Sequence, residues 1–146
     1  MKKNFVNLKN AKRPNDKEKN YEKVIDKIKK EGVCPFCLEN LPKYHKNPII
    51  KENSDWIATK NMYPYENTRL HFLFIHKKHI SSIEELGAEE WMSLKKIILS
   101  IRKDFKVKGG SLFVRFGNSN TGATVTHLHF HLVVSNDESP VLVRIG

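Results

Sequence analysis

Trp91, Leu94, Ile98, Ile101 and Phe105 recur at alternating spacings of three and four residues, which predicts a long amphipathic helix over 88–105. Tyr21, Val24, Ile25 and Ile28 repeat in the same way over 21–30, with lysines in the last turn and Gly32 placed to stop a second helix. Apolar stretches at 56–58, 70–75, 112–116 and 127–134 read as strands, and 141–145 as a last short one. Pro42, Asn47 and Pro48 mark one loop, Asn61-Met62-Tyr63-Pro64 a turn, and residues 117–122 a polar loop bounded by glycines. Helices and strands come in mixed order, without regular βαβ alternation and without an internal repeat. The predicted fold class is therefore α+β, with a mainly antiparallel five-stranded sheet, one long helix and one or more short ones.

Composition narrows the classes. A chain of 146 residues with 39% hydrophobic content suffices for one core and argues against disorder. No apolar run approaches the ~20 residues of a membrane span, and none follows Met1-Lys2-Lys3 as a leader requires. A cytoplasmic domain without membrane contact is expected. Two cysteines separated by two residues make no disulfide framework. The net charge of +10 invites a nucleic-acid partner. Yet 11 Lys and Arg stand against 5 Asp and Glu before Cys34, so most of the excess is local. Residues 1–20 are expected to be a flexible basic arm and 21–146 a single domain. Arginine is scarce among these cations, and no interleaved aromatics form a stacking platform, which favours a solvated lysine face over a nucleic-acid surface.

The charge count omits the most informative residues. Three of seven histidines lie in His127-Leu128-His129-Phe130-His131-Leu132-Val133. On a strand, 127, 129 and 131 share one face, with Leu128, Phe130 and Leu132 on the other. Imidazoles in strict alternation are poor core material and suit either nucleophilic attack by a central histidine or a metal held by all three. The upstream Gly122-Ala123-Thr124-Val125-Thr126 offers backbone N–H groups and hydroxyls to a phosphate. No Asp or Glu lies between Asp104 and Asp137 to complete a catalytic metal site, so anion-directed nucleophilic chemistry is favoured.

The segment His127 through Val133 resembles the signature of the histidine triad (HIT) family, His-φ-His-φ-His-φ-φ with φ apolar. The turn Asn61-Met62-Tyr63-Pro64-Tyr65 and the strand ending in His76-Lys77-Lys78-His79-Ile80 are similar to family sequences as well. The resemblance implies a HIT-like fold and a nucleotide hydrolase. His129 would attack the α-phosphorus of a nucleoside phosphoramidate or dinucleoside polyphosphate, forming a nucleotidyl-histidine intermediate that water releases as a monophosphate. His131 would bind phosphate oxygens, Thr124 would stand near the leaving group, Asn61 by the ribose, and Asn118 and Gly122 by the phosphates. A homodimer is implied too. His76 stands where relatives often have Pro, Ala123 where they have Gln, and Leu70 where they have Gly before His71. The alternatives are a nucleotidyl transferase or phosphorylase of the same superfamily, or a non-catalytic nucleotide- or nucleic-acid-binding module. His131, in place of the Gln of many transferase branches, tilts the reading toward hydrolysis.

Cys34-Pro35-Phe36-Cys37 is half of a tetrahedral zinc site by spacing, with a redox pair or two packed cysteines as alternatives. By resemblance to relatives with this pair, His79 and His127 would complete a structural Zn(2+) site. His45 is a weaker substitute, and His71 and His76 are expected to serve packing or the surface.

Overall fold

The computed structural model describes residues 3–14, 16–117 and 122–145. Its elements run α1 (Asn20–Glu31), α2 (Leu41–Tyr44), β1 (Ile49–Glu52), β2 (Trp56–Lys60), β3 (Thr68–His76), α3 (Ala88–Asp104), β4 (Ser111–Val114) and β5 (His129–Ser135). Among the described residues the five strands form one antiparallel sheet in the order β1-β2-β3-β5-β4. No described helix is long and apolar enough to cross a membrane.

Alternation along the central strands builds two different surfaces. Phe72 and Phe74 of β3, Trp56 and Ala58 of β2, and Phe130 and Leu132 of β5 bury against Leu94, Ile97 and Ile101 of α3. That layer is the main core. Residues one position out of phase face the other way: Leu73 and Ile75 join Ile57 and Leu41 in a smaller cluster. Register sets Leu73 and Phe113 on either side of His131, and Ile75 beside His129. The triad's face is thus the face away from α3.

α1 forms as its periodicity predicts. Asp16 accepts from the backbone N–H of both Asn20 and Tyr21 at 2.9 Å, satisfying two donors at the helix start. Gly32 ends it in the left-handed conformation, φ 69°, which glycine adopts without a Cβ penalty. Ile25 and Ile28 bury with Val6, Ala11 and Val125, while Lys23, Lys27 and Lys29 stay exposed.

Several boundaries differ from expectation. β1 lies just after the loop marked by Pro42, Asn47 and Pro48, where no element was expected; it is a four-residue edge strand without strong periodicity. Residues 141–145 form no strand, and Leu142 and Ile145 are exposed. β5 starts at His129, so His127 precedes the strand it was expected to open. The basic arm is packed rather than loose over residues 5–13: Val6 and Ala11 are buried, and Val6 bridges Val125. Phe5, Val6, Leu8 and Ala11 follow neither a helical nor a strand period, and the Val125 that Val6 meets is more than a hundred positions away.

Candidate active site and metal centre

β5 carries His129 and His131 into a cavity of about 500 Å³. His129 Nδ1 lies 2.7 Å from the His127 carbonyl oxygen and donates to it. The Nε2 atom is left as the lone-pair nitrogen. Phe36 holds the ring edge-on at 5.0 Å. His131 Nδ1 lies 2.9 Å from His71 Nε2. The Tyr65 N–H donates to His71 Nδ1 at 3.3 Å, so the neutral His71 carries its proton on Nε2 and gives it to His131 Nδ1. His131 in turn carries its own proton on Nε2. In this tautomer the 3.3 Å approach of Asn61 Nδ2 to His71 Nε2 brings two donors together, while Asn61 Oδ1 accepts from the Tyr63 N–H at 2.9 Å. Phe113 stacks on His131 at 4.6 Å and 6°, fixing the ring plane.

Burial is the main reason these imidazoles stay neutral. It pushes His129 down to about 4 and His71 to about 3, and holds His131 well below its usual value; the Arg115 charge adds to all three. A histidine whose folded pKa is depressed contributes full stability above its unfolded value near 6.5 and loses it as pH falls toward the folded value. The unfolding free energy should therefore fall as pH drops from 7 to 5, by up to about 1.4 kcal/mol per pH unit per histidine, and the urea midpoint with it. A flat midpoint over that interval would contradict this burial.

Asn61, Gly122 and Thr124 line the same cavity as the two histidines. The Thr124 hydroxyl donates to the Asn10 carbonyl at 3.1 Å, an engagement not foreseen from the sequence. Asn118 lies outside the described residues. His71 was expected in packing or at the surface; it is buried, and from there it orients His131. Its signal was parity, because 71, 73 and 75 of β3 share one face in register with 129 and 131. His76 is a packing residue as expected: 1% exposed, it accepts from the Lys78 N–H and pairs through Nε2 with Glu90 at 2.9 Å.

Beside the cavity, single ligand atoms of Cys34, Cys37, His79 and His127 all lie within 4.8 Å of one another. Cys34 Sγ is 3.4 Å from His127 Nδ1, Cys37 Sγ 3.4 Å from His79 Nδ1, and Cys37 Sγ 3.8 Å from His127 Nδ1; the two Nδ1 atoms are 3.2 Å apart. A tetrahedral zinc ion with its usual bond lengths sets S···N edges of roughly 3.6 Å and N···N edges of roughly 3.3 Å. Donor types and spacing both fit such an ion. His127 Nε2–H donates to the His76 carbonyl at 2.6 Å, which leaves Nδ1 as the ligand atom. Without a cation, burial raises both thiols, Cys37 to about 12. His45 stands apart from this cluster, 2.7 Å from the Thr59 hydroxyl.

Residues 34–145 match the family model described as scavenger mRNA decapping enzyme C-term binding. An "uncharacterized HIT-like protein" of Chlamydia muridarum is 31% identical over 87 residues, covering 58% of this chain and 68% of its own. The solved structure of a HIT family hydrolase from Clostridium thermocellum is 28% identical, with a TM-score of 0.56 over 75% of this chain and 96% of that one. A zinc-bound histidine triad family protein from Mycobacterium smegmatis, 19% identical, shares the fold at a TM-score of 0.59 over 78% and 83% of the two chains.

Proposed function

Since the chain belongs to the histidine triad family, we propose that it is a nucleotide hydrolase whose nucleophile is His129 Nε2. The observation that carries this reading is the pair of opposite hydrogen-bond states on one cavity wall. His129 offers a lone pair because its other nitrogen donates to the His127 carbonyl. His131 offers a proton because its other nitrogen accepts from His71. Their ring centres are 4.9 Å apart, close enough to address one phosphate.

Attack forms the Nε2–phosphorus bond as the bond from phosphorus to the leaving group breaks, an amine leaving group taking a proton from solvent as it departs. His131 Nε2–H stabilises the charge that develops on phosphate oxygens or on the departing atom. Water then cleaves the phosphoramidate and releases a nucleoside monophosphate. Asn61 is assigned to the ribose. Gly122, at φ 67°, admits close approach of backbone to phosphate. Thr124 is assigned to the leaving-group side, its hydroxyl held between the Asn10 carbonyl and the Tyr21 hydroxyl.

Cys34, Cys37, His79 and His127 would hold a structural zinc ion. The ion would supply a redox-inert cross-link between the Cys turn, the end of β3 and the start of β5. A cytoplasmic homodimer belongs to the same reading. Exposed Leu112 on the edge strand β4 and exposed Trp91, Met92 and Leu99 on α3 support an apolar contact between copies.

Rapid quench with adenosine 5′-phosphoramidate followed by peptide mass spectrometry tests the enzyme. A nucleotidyl adduct on His129, with adenosine monophosphate as product, is expected. Turnover without any adduct, or an adduct on another residue, sinks the assignment. Inorganic phosphate added to the reaction should leave the product unchanged; a phosphorylase would incorporate it.

A further inference from the structure

The residues that precede the family match are bonded to the loop that precedes the triad. The Asn7 N–H donates to the Thr124 carbonyl at 2.7 Å, and the Thr126 N–H donates to the Phe5 carbonyl at 3.0 Å. Asn10 Nδ2 donates to the Ala123 carbonyl at 2.9 Å. This strap leads into Arg13 at the cavity. The Arg13 guanidinium lies 4.2 Å from the Tyr21 ring centre and 5.4 Å from that of Tyr65, and it donates to the Tyr63 carbonyl. Tyr65 in turn lies parallel to His131, with ring centres 6.0 Å apart.

A second guanidinium stands on the same wall. Arg115 lies over Phe113 at 5.1 Å, the ring stacked on His131, and donates to the Tyr65 hydroxyl at 3.3 Å. Its Nε is buried without a hydrogen-bond partner among the described residues. The orphaned Nε leaves this cation under-satisfied by protein groups, and its guanidinium lines the cavity of an anion-directed nucleophile, where an anionic ligand would complement it. Lys12 and Arg144 also line the cavity, against Glu66 as the acidic member of the described lining.

We propose that Arg13, delivered by the strap, and Arg115 form a paired guanidinium clamp for the phosphates beyond the one attacked. The clamp selects nucleotides whose leaving group is itself a phosphate chain over those that release a neutral amine. This rests on the hydrolase reading and names its preferred substrate class. When His129 Nε2 bonds to the α-phosphorus, the α-phosphorus–oxygen bond to the next phosphate breaks. The electron pair departs on that oxygen, and the guanidinium pair holds the new charge. Water then gives its hydroxyl to phosphorus, its proton passes to solvent, and His129 is restored.

The test compares kcat/KM for P1,P3-diadenosine triphosphate and adenosine 5′-phosphoramidate, using the full chain. The wild type should prefer the triphosphate, and Arg13→Gln and Arg115→Gln should each cut that ratio by about tenfold, the effect of losing a charge-assisted contact. Arg13→Lys, which keeps the charge, should recover part of the preference. Added salt should shrink it in the wild type. Loss of packing alone lowers both substrates together, so an unchanged ratio in both Gln variants overturns the clamp. If the wild type turns over neither substrate, the hydrolase reading fails and binding decides the clamp separately. Calorimetry should then show ATP bound at least about tenfold more tightly than AMP, with the difference lost in the Gln variants. Equal binding of the two by the wild type overturns the proposal.

Discussion

His129→Ala is expected to lower kcat/KM for adenosine 5′-phosphoramidate by at least about 10⁴-fold, measured by steady-state release of adenosine monophosphate. In the proposed mechanism attack and intermediate formation both depend on one nitrogen, and neither of the other triad imidazoles combines its lone pair with its position. The neighbouring imidazoles do not substitute. His131 presents a proton where a nucleophile needs a lone pair, and His127 Nδ1 faces the two thiols. His131→Phe separates the two roles. It keeps a ring to stack on Phe113 while deleting the Nε2 donor, so the expected loss is smaller, about 10²–10³-fold, the usual cost of one transition-state donor. A His129→Ala variant retaining more than a hundredth of wild-type activity would remove His129 from the mechanism.

Cys34→Ala should strip the chain of zinc and lower its stability by at least about 3 kcal/mol, or roughly 10 °C in melting temperature. Elemental analysis and thermal unfolding on the same sample check this. The wild type should carry one zinc per chain, and the variant close to none. Four donor side chains from three separated segments converge here, so a bound ion would add a covalent-strength cross-link to the hydrogen bonds that already join the end of β3 to the start of β5. Removing one buried cysteine packed as a small hydrophobe costs less, and it moves no metal. Equal metal content in wild type and variant would leave the cluster as packed side chains. The same sample also reports on catalysis, since the carbonyl that orients His129 belongs to the residue whose ring faces the thiols.

Periodicity made most of the fold legible. α1 and α3 follow apolar spacings that survive folding, and β3 and β5 follow runs long enough to bury on both faces. β1 escaped because four edge residues with exposed ends carry no alternation worth reading. Residues 141–145 misled for the opposite reason: Val141, Leu142, Val143 and Ile145 look strand-like, but no described strand edge pairs with them. In the site, the His-x-His-x-His alternation and the Cys-x-x-Cys turn each carry local chemistry in their spacing. His71, Arg13 and Arg115 do not. Their place depends on which strand pairs with which and on a bridge from Val6 to Val125, neither of which is written in neighbouring residues. Most of the charge excess lies in the first 33 residues, and composition does not distinguish Arg13, which lines the cavity, from the lysines around it.

The alternation of β5 also works as a reading frame. One residue inserted between Val125 and His129, with β5 keeping its pairing to β3 and β4, would exchange the two faces of the strand. Phe130 and Leu132 would then face the cavity, and imidazoles would sit under α3 among Trp56, Phe72 and Ile101 with no polar partner. Composition would hardly change, yet core and chemistry would be lost in one step. Substitution has more room at Leu73, which lines the cavity while positions 72, 74, 130 and 132 answer to the helix. A library at Leu73, with the histidines kept, can search for new substrates with the principal core left untouched.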